Sequence, residues 1–78
     1  MEKQELQDLF IRLIREFYTH FNVLQIPLSW FVGKTLLNYE VIEGTLMLLI
    51  SENKISGRIN DNDTLEYSDN LLILNSLP

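Results

Sequence analysis

The stretch VIEGTLMLLISENKISGRINDNDTLEY (residues 41–67) changes its hydrophobic period partway along. Val41, Ile42, Thr45, Leu46, Leu49 and Ile50 recur at intervals of three and four, which predicts a helix with these side chains toward a core. Ser51-Glu52-Asn53 ends that helix. Beyond it Ile55, Gly57 and Ile59 alternate with Ser56 and Arg58, the period of a half-buried strand. Asn60-Asp61-Asn62-Asp63 reads as a turn, because Asn and Asp tolerate positive φ and hydrogen-bond their own backbone. Leu65 and Tyr67 continue the alternation on a return strand. The stretch therefore predicts a helix running directly into a two-stranded hairpin at 55–67.

Working outward, the N-terminal 21 residues carry Leu6, Leu9, Phe10, Leu13, Ile14, Phe17 and Phe21 on one stripe of an amphipathic helix. Asp8, Arg12, Arg15, Glu16 and Thr19 form its wet face, Ile11 falls among them, and Tyr18 flanks the stripe. Asn22 suits the left-handed position that ends such a helix. Val23 to Ile26 is a short apolar segment biased to extended geometry by the following proline. Pro27 then fits the first turn of a second helix over 27–37, with Leu28, Phe31, Val32, Thr35 and Leu36 on its buried face. Gly33 inside it costs about 1 kcal/mol against Ala, for which a tight approach by another helix or a neutral choice are the two explanations. Asn38 is a suitable N-cap for the third helix, over 39–52, and Glu40 complements its dipole. Leu71 to Leu74 is too apolar to lie bare in water, so 71–77 is expected to pack against the first helix or a partner.

The whole chain of 78 residues reads as a single α+β domain: three helices plus a small antiparallel sheet with a β-hairpin wing, the winged-helix layout. Eleven acidic against six basic side chains give a net charge of −5, which disfavours polyanionic partners such as nucleic acid and anionic lipid. A helix that reads DNA lines its exposed face with Arg and Lys, whereas residues 39–52 contain Glu40, Glu43 and Glu52 and no basic residue. Lys54 and Arg58 on the wing are the possible phosphate contacts, and as two cations they do not offset the rest. No apolar run approaches the roughly 20 residues that span a bilayer, and the acidic, polar start lacks a signal-peptide pattern.

Catalytic and metal readings fail for want of residues. The chain has no cysteine, excluding disulfides, thiolate metal sites and a Cys nucleophile, and it fits a reducing cytosol. His20 is the only histidine, so zinc ligation and a Ser-His-Asp arrangement have nothing to build on. Read as a calcium loop from Asp61, the sixth and twelfth places hold Glu66 and Leu72 where Gly and Glu are required. Asp61, Asp63, Glu66 and Asp69 cluster near a hairpin tip, which offers no cleft to raise a carboxyl pKa for acid–base work. The expectation is a non-enzyme with no cofactor, no metal and no small-molecule substrate.

Between Ile26 and Tyr67 the chain resembles the winged-helix half of PCI domains, found in the proteasome lid, the signalosome and a translation initiation factor. The residues that carry the resemblance are Leu28 with Phe31-Val32, Val41-Ile42-Glu43, Leu46, Leu49-Ile50, then Lys54-Ile55-x-Gly57-x-Ile59-Asn60 and Leu65. The family usually has Asp where Asn60 stands, and the helical repeats that precede this unit are replaced by one amphipathic helix. The small versions in ubiquitin-like ligase adaptors and ESCRT-type subunits look most similar. Such a resemblance implies scaffolding, with pairing through winged-helix edges and neighbouring helices.

The expected function is thus a cytoplasmic scaffold or adaptor module that binds a protein partner or another copy of itself. Its expected contact residues are Ile11, Tyr18 and Trp30, with Leu71, Leu72 and Ile73 of the C-terminal segment. Trp30 has a second reading, as core packed against the first helix. The alternative function is a winged-helix DNA-binding transcriptional regulator, dimeric through the first helix. A small inhibitor whose acidic surface mimics nucleic acid is a third reading.

Overall fold

The elements follow the order α1 (Lys3–Phe21), β1 (Gln25–Pro27), α2 (Leu28–Thr35), α3 (Tyr39–Ser51), β2 (Gly57–Ile59) and β3 (Thr64–Tyr67) in the computed structural model, which describes residues 2–68. They form an α+β arrangement of three helices and a three-stranded antiparallel sheet. The segment 71–77, with Leu71, Leu72 and Ile73, lies outside the described residues.

The hairpin residues do what their types dictate. Asp63 N–H donates to Asn60 O, closing a tight turn, and Asp63 itself takes the left-handed conformation at φ 51°. The sheet order is β1-β3-β2, so the last strand is central: Ile26 and Ile59 both lie opposite Leu65. Val23 to Ile26 was expected to be extended; it feeds β1, which Leu28 N–H prolongs by donating to Asp63 O. Tyr67 OH donates to Val23 O at 2.6 Å, tying the end of the sheet to the turn after α1.

The core collects Phe10, Ile14, Ile26, Leu28, Phe31, Ile42, Leu46, Leu49, Ile55 and Leu65, all buried, so every element except β2 contributes to its centre. Phe10 of α1 stacks on Phe31 of α2 at 5.2 Å, in the aromatic geometry that adds to simple area burial. Asn22 ends α1 at φ 53° and Asn38 caps α3 through Val41 N–H at 2.9 Å, both as their residue types predict. Asn53, also left-handed, turns the chain after α3 so that Lys54 N–H returns to Leu49 O.

Four expectations are corrected, and one open pair of explanations is narrowed. The helix predicted over 27–37 spans only Leu28–Thr35, because Leu36 adopts φ 61° with its N–H on Val32 O; this puts Leu36 on the surface, 88% exposed, instead of in the core. Pro27 is the last residue of β1 and the N-cap of α2, not a member of the helix's first turn. Phe21 is 53% exposed, since α1 outruns the core at its C-terminal end, and Val41 on the first turn of α3 is 37% exposed. Of the two explanations for Gly33, a tight approach by another helix fails, because a Cβ there meets nothing within 4 Å, and the neutral choice stays. The strand predicted from Ile55 begins at Gly57, and Ile55 is buried before it.

Candidate functional site

The outward stripe of α3 consists of Glu40, Glu43, Gly44, Met47 and Ser51, at the three- and four-residue spacing of one helix face. Met47 is 56% exposed at its middle. Because a short turn over 52–56 joins α3 to β2, this stripe and the hairpin form two walls of an open groove of about 520 Å³. Ile50 and Ile59 supply its half-buried apolar floor, and Glu43, Asp61 and Asp63 its carboxylates.

The one basic residue in the groove, Arg58, is engaged: its Nε donates to Glu66 Oε1 at 3.1 Å across the β2–β3 ladder. Asn60 Nδ2 donates to the other oxygen, Glu66 Oε2, at 2.7 Å. These bonds hold the Glu66 carboxyl below its ordinary value, the Asn60 hydrogen bond first and the Arg58 guanidinium second. Glu43 and Asp61 make no ion pair among the described residues.

The strand β2 adds backbone groups to the groove. Ser68 N–H donates to Ser56 O and Asn60 N–H to Thr64 O, so the hydrogen-bonded pairs of this ladder fall on Ser56, Arg58 and Asn60. In an antiparallel ladder the alternate residues face the other way. Gly57 and Ile59 therefore aim their N–H and C=O groups at the outer edge, which no described strand covers.

Lys54 is placed differently from Arg58. Its Nζ donates to Gln7 Oε1 at 2.7 Å and lies 3.5 Å from Glu52 Oε1, while Gln7 Nε2 donates to Glu52 at 3.3 Å. Gln7 is 1% exposed, so this is a part-buried clamp between α1 and the C-terminal end of α3, with Lys3 on its outer side at 3.7 Å from Glu52. Partial desolvation of Glu52 opposes its charge, but Gln7, Lys3 and Lys54 together outweigh it and hold the carboxyl below its ordinary value.

Of the other expected contact residues, Ile11, Tyr18 and Trp30 lie among the described residues and make contacts within the fold. Trp30 packs edge-on to Phe17 of α1 at 4.9 Å and to Phe31 at 5.3 Å, with Lys34 Nζ over its ring at 5.4 Å. Tyr18 meets Tyr67 edge-on at 6.4 Å, and Ile11 lies half-buried against the core. Ile11, Tyr18 and Trp30 are thus each half-buried, with packing contacts inside the fold. The groove was not singled out from sequence, although Met47 interrupting Glu40, Glu43 and Ser51 on the polar side of a helix was a readable signal.

Among the described residues no group of three His, Cys, Asp or Glu side chains is placed to hold a metal ion. No helix there is long and apolar enough to cross a membrane. Set against known proteins, the chain matches no family model, no curated protein and no solved structure, so its functional reading stands on its own residues.

Proposed function

We propose that this chain is a non-enzymatic, cytoplasmic protein-interaction module built on a winged-helix layout of the PCI kind, acting as a scaffold or adaptor. The observation that carries the reading is the α3–hairpin groove. A nucleic-acid-binding winged helix presents cations here; this chain presents Glu43, Asp61 and Asp63 around Met47, Ile50 and Ile59. The two candidate phosphate contacts, Lys54 and Arg58, are committed to Gln7 with Glu52 and to Glu66. Exposed apolar side chains bordered by charge are the usual composition of a surface that another protein covers. Ile11, Tyr18 and Trp30 are half-buried against the core, and the groove joins them as a candidate contact surface.

The reading is tested by comparing wild type with Met47→Asp in affinity capture from cell extract, alongside a salt series of gel shifts with duplex DNA. Capture of a defined protein that Met47→Asp abolishes supports it. A salt-dependent DNA shift that requires Lys54 and Arg58 replaces it with the regulator reading.

A further inference from the structure

The interaction reading leaves open what the groove holds, and on that reading the groove's chemistry selects one class of occupant. We infer that it takes an extended segment of another protein in which apolar side chains alternate with Lys or Arg, paired along the outer edge of β2. The edge supplies the geometry: Gly57 and Ile59 offer N–H and C=O groups to an incoming backbone. Alternate side chains of an added strand point to opposite faces. One set meets Met47 and the floor of Ile50 and Ile59.

Charge decides the other set. Three carboxylates, Glu43, Asp61 and Asp63, border the groove against a single guanidinium that Glu66 already neutralises. An acidic strand meets repulsion along this border, and a purely apolar one leaves Glu43 and Asp61 without partners. A basic strand satisfies both walls. Nucleic acid is refused by the same carboxylates that recruit the cations.

The experiment titrates the isotopically labelled full chain with a capped peptide of about eight residues alternating Val or Leu with Lys or Arg. The same peptide with Glu at the charged places, the same peptide with Ser at the apolar places, and a duplex DNA oligonucleotide are run beside it. The expected result is saturable shifts at the Gly57 and Ile59 amides and the Met47 methyl, with binding that weakens as salt is added. The combined change Glu43→Lys with Asp61→Lys should weaken binding about tenfold, with circular dichroism confirming the fold is kept. Equal binding of the acidic peptide, shifts confined to residues outside the groove, or no shift at about millimolar peptide overturns the inference. If those failures occur while Met47→Asp still abolishes capture of a protein, the interaction module stands and only this occupant is wrong. If DNA saturates the same amides, both fall together.

Discussion

Asn60 and Glu66 meet diagonally across the hairpin, with Asn60 Nδ2 donating to Glu66 Oε2 at 2.7 Å while Asn60 Oδ1 accepts from the backbone N–H groups of Asn62 and Thr64. An aspartate could accept the two backbone bonds but could not donate the third. The amide at this position is therefore explained by the glutamate diagonal to it on β3. Asn60→Asp is expected to lower the melting temperature by a few degrees near neutral pH, because it sets two carboxylates within hydrogen-bond distance. Most of that loss should return in acid, where one of them is protonated. A melting temperature unchanged at neutral pH would dismiss the pairing.

Acid dependence follows from the same contact. Glu66 and Glu52 both have folded pKa values below the ordinary 4.5, so their contribution to stability is fully present above that value and disappears as pH falls through the folded values. Replacing either with Gln should flatten the acid limb of the stability curve and leave little difference from wild type at about pH 2. Urea midpoints measured on wild type, Glu52→Gln and Glu66→Gln across the acid range would settle it; parallel curves argue against both assignments.

Two classes of glycine call for opposite outcomes on mutation to alanine. A Cβ on Gly57 would run into Glu66 O and stand 2.9 Å from Tyr67 Cα, both backbone atoms of the central strand. Gly57→Ala should cost about 1–3 kcal/mol through strand displacement. Gly33 and Gly44 have open space around them, and alanine there should stabilise the helices by roughly 0.5–1 kcal/mol each. The three denaturant midpoints are the check, and a stable Gly57→Ala would mean β2 can move away from β3.

The clamp between α1 and α3 has a measurable partner structure. Gln7→Ala removes a nearly fully buried amide and takes from Lys54 its 2.7 Å acceptor, so a loss of about 1–3 kcal/mol is expected. A double-mutant cycle with Lys54→Met should show positive coupling, because the second change costs less once the amide is gone. Strict additivity would show that the two side chains do not act as a pair.

Leu36 sits in the left-handed region with 88% of its surface exposed, the reverse of what a leucine prefers on both counts. Leu36→Gly should therefore raise stability by about 1 kcal/mol. Destabilisation would reveal packing that its exposure does not indicate.

Much of the fold was legible because local chemistry and periodicity agreed. Asn22 ended α1 by taking the left-handed conformation, Asn38 and Asn60 bonded the backbone through their side chains, and the α1 and α3 stripes buried Phe10, Ile14, Ile42, Leu46 and Leu49 as spaced. The failures lie where the chain leaves a helix early. Nothing in Thr35-Leu36-Leu37 announces a stop, since the left-handed residue is a leucine and not a glycine or asparagine. Gln7 illustrates the other gap: a polar residue on the apolar stripe is buried only because Lys54 and Glu52, more than forty positions away, come to meet it. The groove itself exists only once α3 and β2 are juxtaposed, so spacing along the chain showed its two walls but not their meeting.

Because β3 is both the central strand and the last described element, neither β1 nor β2 has a partner until Thr64–Tyr67 has been made. A nascent chain emerging from the ribosome can assemble its helices while Ile26 and Ile59 still wait for Leu65. Cooperative closure is thereby deferred to the end of translation of this segment, and truncation just before Thr64 should leave a helical but unlocked species.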